Sequence, residues 1–149
     1  PVTLFTSACE LTSVMVDYDV VDIDDVAVTD LSGVDSVPPD LNIKPVGDVL
    51  GLSDMRCTVW YFEPGEEIQY HANAHQEAMY FIFEGEFSLK LGESGDEEYL
   101  DASAGSFWVA KPKIGHGHRY IGEEQGVVLS FGAPSVADPG LDPHSLADE

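Results

Sequence analysis

A chain of 149 residues suffices for one domain with a modest core and short extensions. Its charge is lopsided: 28 acidic residues face 6 basic ones, for a net charge of -22. Such a field excludes nucleic acid and anionic membrane surfaces as general partners, while a hydrophobic content of 44% excludes wholesale disorder. The carboxylates are spread along a chain rich in Val, Tyr and Phe, and so read as a solvated acidic surface suited to high-salt cytoplasm.

Residues 1–14 hold one acidic residue, Glu10, and the other 27 fall after Val14. That segment is expected to be flexible, and foreign to the native chain if translation starts at Met15; a mobile native terminus is the alternative. Residues 15–50 form an acidic arm. Within it Val20 to Val28 is compatible with a short strand or an extended segment, and Pro38-Pro39 breaks it. Leu41 to Leu52, with Pro45 and two glycines, predicts a loop with one strand or a helical turn.

From Met55 the period is two. Met55, Cys57, Val59 and Tyr61 would share one strand face, with Arg56, Thr58, Trp60 and Phe62 on the other. Pro64-Gly65 is a turn, and Ile68 to Asn73 a strand. Ala78 to Phe83 is nearly all apolar, as in a strand covered on both faces. Gly85 turns the chain and Phe87 to Leu91 returns it, with a hairpin loop at Gly92 to Asp96. Tyr99 to Ala102, Phe107 to Ala110, His116 to Ile121 and Val127 to Phe131 complete the set. Short strands between turn signals predict an all-β fold, a single antiparallel sandwich or barrel over residues 51–133. Residues 134–149, with Pro134, Pro139 and Pro143, predict an irregular tail.

Two gapless blocks carry chemistry. The first runs from Pro64-Gly65 through His71, Asn73, His75 and Glu77 to Glu84-Gly85. The second runs from Gly105 to His116, followed by Gly117, His118 and Arg119. This pairing resembles the two motifs of the cupin superfamily, a jelly-roll β-barrel, over roughly residues 55–132. In that family the first motif supplies two His and a Glu as metal ligands, and the second supplies one His. By the resemblance His71 and His116 occupy two of those four positions, Asn73 stands where the second His belongs, and Ala78 where the Glu belongs.

Alternate side chains share a strand face, so His71 and Asn73 should point together, as should His116 and His118. Neutral imidazole is the commonest metal ligand, and three or four such donors make a first-row metal site. His71 and His116 are therefore candidate ligands for Fe, Mn, Ni or Zn, with His75 or Glu77 as the third; a local bulge would turn Glu77 inward. The plainer reading places His75 and Glu77 on the exposed rim.

Lys111, Lys113 and Arg119 make up half of the positive charges and are interleaved with His116 and His118. With Asn73 and His118 they are candidates for holding an anionic small molecule. The resemblance implies a metal-dependent dioxygenase, isomerase or decarboxylase acting on an oxygenated or carboxylated substrate. Loss of two ligands favours instead a metal-free or weakly metallated binding or sensor module. Cupins commonly pair through barrel faces, so a homodimer is expected. Cys9 and Cys57 show no paired spacing and read as reduced thiols. No run reaches transmembrane length and no basic signal-peptide region opens the chain, so a cytoplasmic location is expected.

Overall fold

The structure is a computed structural model describing residues 17–30, 42–138 and 140–146. The expectations for residues 1–14 and for the Pro38-Pro39 break lie outside the described residues. The period-two sequence folds as two antiparallel sheets. The first has the strand order β1 (Thr29–Asp30), β2 (Asn42–Lys44), β3 (Arg56–Phe62), β10 (Gly126–Ala133), β5 (Glu77–Glu84), β8 (Phe107–Ala110). The second has the order β11 (Gly140–Leu141), β4 (Glu67–Asn73), β9 (His116–Tyr120), β6 (Glu86–Leu91), β7 (Glu98–Ser103). The all-β, cupin-like jelly-roll expected from the sequence is present, with the sheets facing each other rather than closing into one continuous ladder.

The facing sides supply the core. Phe62, Tyr80, Ile82 and Trp108 come from the first sheet, and Phe87, Leu89 and Tyr120 from the second. Phe62 meets Phe87 edge to face at 5.1 Å between ring centroids, the arrangement aromatic quadrupoles favour. The motif glycines Gly65, Gly85 and Gly105 have φ of 86°, 94° and 95°. Side chains rarely tolerate that region, so these turns need glycine.

Three local findings differ from the sequence reading. Residues 42–50 form both a strand and a helix, α1 (Val46–Leu50). Around Ile23–Asp25 the chain makes a 3-10 turn instead of a strand, because the Asp22 carboxylate accepts from the Asp24 N–H at 2.9 Å. The tail contains β11 and a one-turn helix, α2 (Pro143–Leu146). Asp138 pins that tail: its carboxylate accepts from the N–H groups of Ala74, His75 and Gln76 at 2.6, 2.8 and 2.6 Å.

Strand β5 is not covered on both faces. Ala78, Tyr80 and Ile82 are buried, whereas Met79 and Phe83 remain 42% and 59% exposed. Alternation turns these apolar side chains onto an outer face that no described residue covers fully.

Candidate functional site: a histidine pair between the sheets

Strand β9 alternates. His116, His118 and Tyr120 are buried, and Arg119 is exposed on the other side. Its partner β4 reaches the same interior by a bulge. Ile68 pairs with His118 and His71 with His116, so Gln69 and Tyr70 together oppose Gly117. The extra residue inverts the alternation, and His71 faces inward beside His116. Gly117 permits the bulge: a Cβ there would lie 2.9 Å from the Tyr70 backbone nitrogen and 3.0 Å from the Ile68 carbonyl oxygen.

The imidazoles of His71 and His116 are 4.3 Å apart between centroids. His71 Nδ1 lies 2.8 Å from the Gln69 carbonyl oxygen, and His116 Nδ1 lies 3.0 Å from that of Ile114. A carbonyl only accepts, so Nδ1 carries the hydrogen in both rings and each neutral Nε2 keeps its lone pair. The Tyr80 hydroxyl donates to His116 Nε2 at 3.1 Å. Tyr80 in turn stacks on Trp108 at 4.8 Å and 14°.

His118 lies deeper. Phe62, Phe87, Tyr80 and Trp108 surround its ring at centroid distances of 5.4, 5.9, 5.4 and 5.1 Å. Among the described residues neither of its nitrogens has a hydrogen-bond partner, and neither does Trp108 Nε1. Burial, then the charges of His116 and His71, push the His118 pKa down to about 3. Burial and the His71 charge push His116 down to about 4, against the Ile114 carbonyl. His71 is lowered by burial, partly offset by its bond to Gln69. Burial raises the Tyr80 phenol above its ordinary range, so it stays a neutral donor. The whole cluster is uncharged at neutral pH.

The other candidates lie elsewhere. Asn73 is half-buried two residues beyond His71, and its carbonyl accepts from the Lys113 N–H at 2.7 Å. His75 is exposed, with its backbone N–H on Asp138. Glu77 is exposed and ion-paired with Lys111 at 2.7 Å. The register of β5 against β8 is regular from Ala78 to Phe81, and the irregularity in β5 falls opposite Val127/Val128, far from Glu77. Glu77 thus keeps to the outer side of its strand. Lys113 is exposed, and Arg119 faces outward from the second sheet. The expected basic cluster is therefore divided, because alternation sends Arg119 away from His116 and His118. Among the described residues no three His, Cys, Asp or Glu side chains converge as a metal cage. Sequence reasoning missed Tyr80 and Trp108 as site residues; the usable signal was Tyr80 lying in phase with Ala78.

The fold and its paired motifs define a cupin, and the comparisons agree. The family profile described as Cupin domain matches residues 58–132, and the chain belongs to that family. No curated protein sequence matches it. The solved structures it resembles include KdgF from Halomonas sp., at 19% identity and a TM-score of 0.62, covering 76% of this chain and 92% of that one. A sugar phosphate isomerase of the cupin superfamily from Silicibacter pomeroyi gives 18% and 0.66, with coverages of 82% and 80%. A predicted oxalate decarboxylase from Thermotoga maritima gives 13% and 0.66, with coverages of 78% and 99%. These identities speak to the fold. No helix among the described residues is long and apolar enough to cross a membrane.

Proposed function

We propose that this cupin binds a small molecule through the neutral His71–His116–Tyr80 cluster, as a binding or sensing module that needs no metal. The observation that carries this reading is the donor set: two imidazoles and a neutral phenol, with no third metal-binding side chain converging on them among the described residues. Catalytic metals are held by three or more strong protein donors, and here two imidazoles converge with no third His, Cys, Asp or Glu among the described residues. The residues present therefore do not fit the family's four-ligand site. A ligand offering a hydroxyl would donate to the free lone pair of His71 Nε2. Similar folds are carried by proteins named for sugar phosphate isomerisation and oxalate decarboxylation, which supports an oxygenated, carboxylated or otherwise anionic small molecule as the ligand class.

The second reading is a metal-dependent enzyme of dioxygenase, isomerase or decarboxylase type, with His71 and His116 as ligands to Fe, Mn, Ni or Zn and His75 or Glu77 recruited by movement of the 73–77 loop. One observation favours it: tethering Nδ1 to a backbone carbonyl is how proteins orient metal-binding imidazoles. Elemental analysis of protein purified without a metal-affinity tag, followed by titration with Zn2+ and Mn2+ at pH 7, separates the two. Stoichiometric metal lost in His71→Ala would overturn the metal-free reading and favour the metal-dependent one; protein that stays metal-free supports the binding module.

We also propose a homodimer that pairs through the outer face of β5, β8 and β10. Phe107, Val109, Phe83 and Met79 are exposed there, and Glu77 and Lys111 neutralise each other beside them. In a chain of net charge -22, this is where two copies approach with least repulsion. Light scattering in molar KCl should give twice the chain mass, and Val109→Asp should give the monomer. A monomeric wild type would end the proposal. A soluble cytoplasmic setting in a salt-rich cell fits the acidic surface.

A further inference from the structure

The outer face of the second sheet holds a groove of about 460 Å³ crossing β4, β9 and β6, edged by β7 and α2. That volume is in the range of small-molecule sites. Gly117 and Ser88 leave the floor low, while Tyr70, Tyr99, Lys90 and Arg119 rise around it. The Lys90 ammonium lies 4.3 Å from the Tyr70 ring centroid and 5.8 Å from that of Tyr99, close enough for cation–π attraction. Lys90 is paired with Gly117 and Ser88 with Arg119. The two cations are therefore diagonal neighbours on adjacent strands, about 7–8 Å apart at the backbone.

The chain holds 28 carboxylates for 6 basic residues, so a cation outside any salt bridge is unexpected. Among the described residues the one ion pair is Lys111–Glu77; Lys90 and Arg119 have none. Glu67 lines one end of the groove as the cross-strand partner of Arg119; at the other end Glu97, whose carboxyl feels the Lys90 charge, acts with Asp142 and Glu93 on Tyr70 without forming a salt bridge to Lys90. These carboxylates repel a polyanion, so among anions a singly charged one meets the least repulsion between the two cations.

We propose that this groove is a second ligand site, separate from the interior histidines, which takes a small monocarboxylate with a flat or ring-shaped body. The carboxylate sits between Lys90 and Arg119, and the body lies against Tyr99 and Tyr70. Charge-assisted hydrogen bonds to a guanidinium are the strong part of such recognition, and the tyrosine faces supply the apolar contact.

The test is an amide-detected NMR titration of the full chain with benzoate, and in parallel with benzamide and inorganic phosphate, in low-salt buffer. Saturable shifts are expected at Ser88 and Gly117 with benzoate, and at least tenfold weaker binding of benzamide and of phosphate. Lys90→Met and Arg119→Met, both substitutions of outward-facing side chains, should each weaken benzoate at least tenfold, with the remaining amide spectrum preserved. His71→Ala should leave the affinity unchanged. Absence of saturable shifts overturns the proposal, as does unchanged affinity in both variants. Phosphate binding as tightly as benzoate would also overturn it. Loss of binding in His71→Ala would place the benzoate in the interior instead, which likewise overturns this site while leaving the histidine pair standing.

Discussion

His71 and His116, on neighbouring strands, use the same local device: each ring's Nδ1 meets the carbonyl two residues before it. The tautomer of both rings is set by their own backbone before any ligand arrives. Two-bond ¹⁵N–¹H spectra at pH 7 should therefore show both rings as the Nδ1–H form. A dominant Nε2–H form in either ring would show that the tether is not made in solution.

The buried histidines also set a pH dependence. His118 is held at about 3 and His116 at about 4, below the ordinary 6.5 that each regains on unfolding. The folded chain thus binds fewer protons than the unfolded chain as the pH falls below 6.5. The stability these neutral rings contribute is complete above that pH and is lost as the pH falls toward their folded values. For His118 alone the loss between pH 7 and pH 5 is about 2 kcal/mol. Protonation of surface carboxylates acts in the opposite direction, so the clean measurement is the difference between metal-free wild type and His118→Phe. Denaturant unfolding should show the variant losing less stability on acidification, by that amount. Parallel pH profiles would contradict the prediction.

Gly117→Ala should harm the site more than its size suggests. The added methyl meets backbone on β4, which cannot rotate away as a side chain could. A cost of about 1–3 kcal/mol is expected, together with a register change that turns His71 out of the interior. Loss of the His71 tautomer signature, with that of His116 retained, would mark the second effect. A variant with wild-type stability and spectra would show that β4 yields without cost.

Salt should raise the melting temperature. The chain carries 28 acidic residues, folding brings those of the described strands and loops close together, and a Debye length of about 3 Å at 1 M removes most of the repulsion between them. An equal melting temperature at 50 mM and 2 M KCl would be incompatible with this account.

The period of two and the turn glycines made the two-sheet fold legible from Met55 to Phe131, since both are local consequences of strand geometry. His71 and His116 were legible as candidates through their resemblance to the cupin motif positions. What spacing could not reveal was the β4 bulge, because it depends on the absence of a side chain at Gly117 on a different strand. Nor could it show that Glu77 points outward, for one residue of register decides that and the decision is made by pairing with β8. Arg119 stands beside His118 in sequence, yet pleating sends them to opposite faces. The groove at Lys90 draws on residues from 67 to 144, and only the assembled sheet brings them together.

Asp138 holds two distant parts of the chain together by backbone amides alone. It fastens the tail to the 74–76 loop without a cation: partial burial opposes its ionisation, and the three amides outweigh that and hold its pKa below the usual carboxylate value. Dissolved salt competes poorly for short, directional bonds to fixed peptide dipoles, whereas it loosens an exposed pair such as Lys111–Glu77. As ionic strength rises, contacts made by opposite charges fade and an amide clasp of this kind persists, so the loop bordering the histidine pair is expected to keep its shape where an ordinary salt bridge would erode.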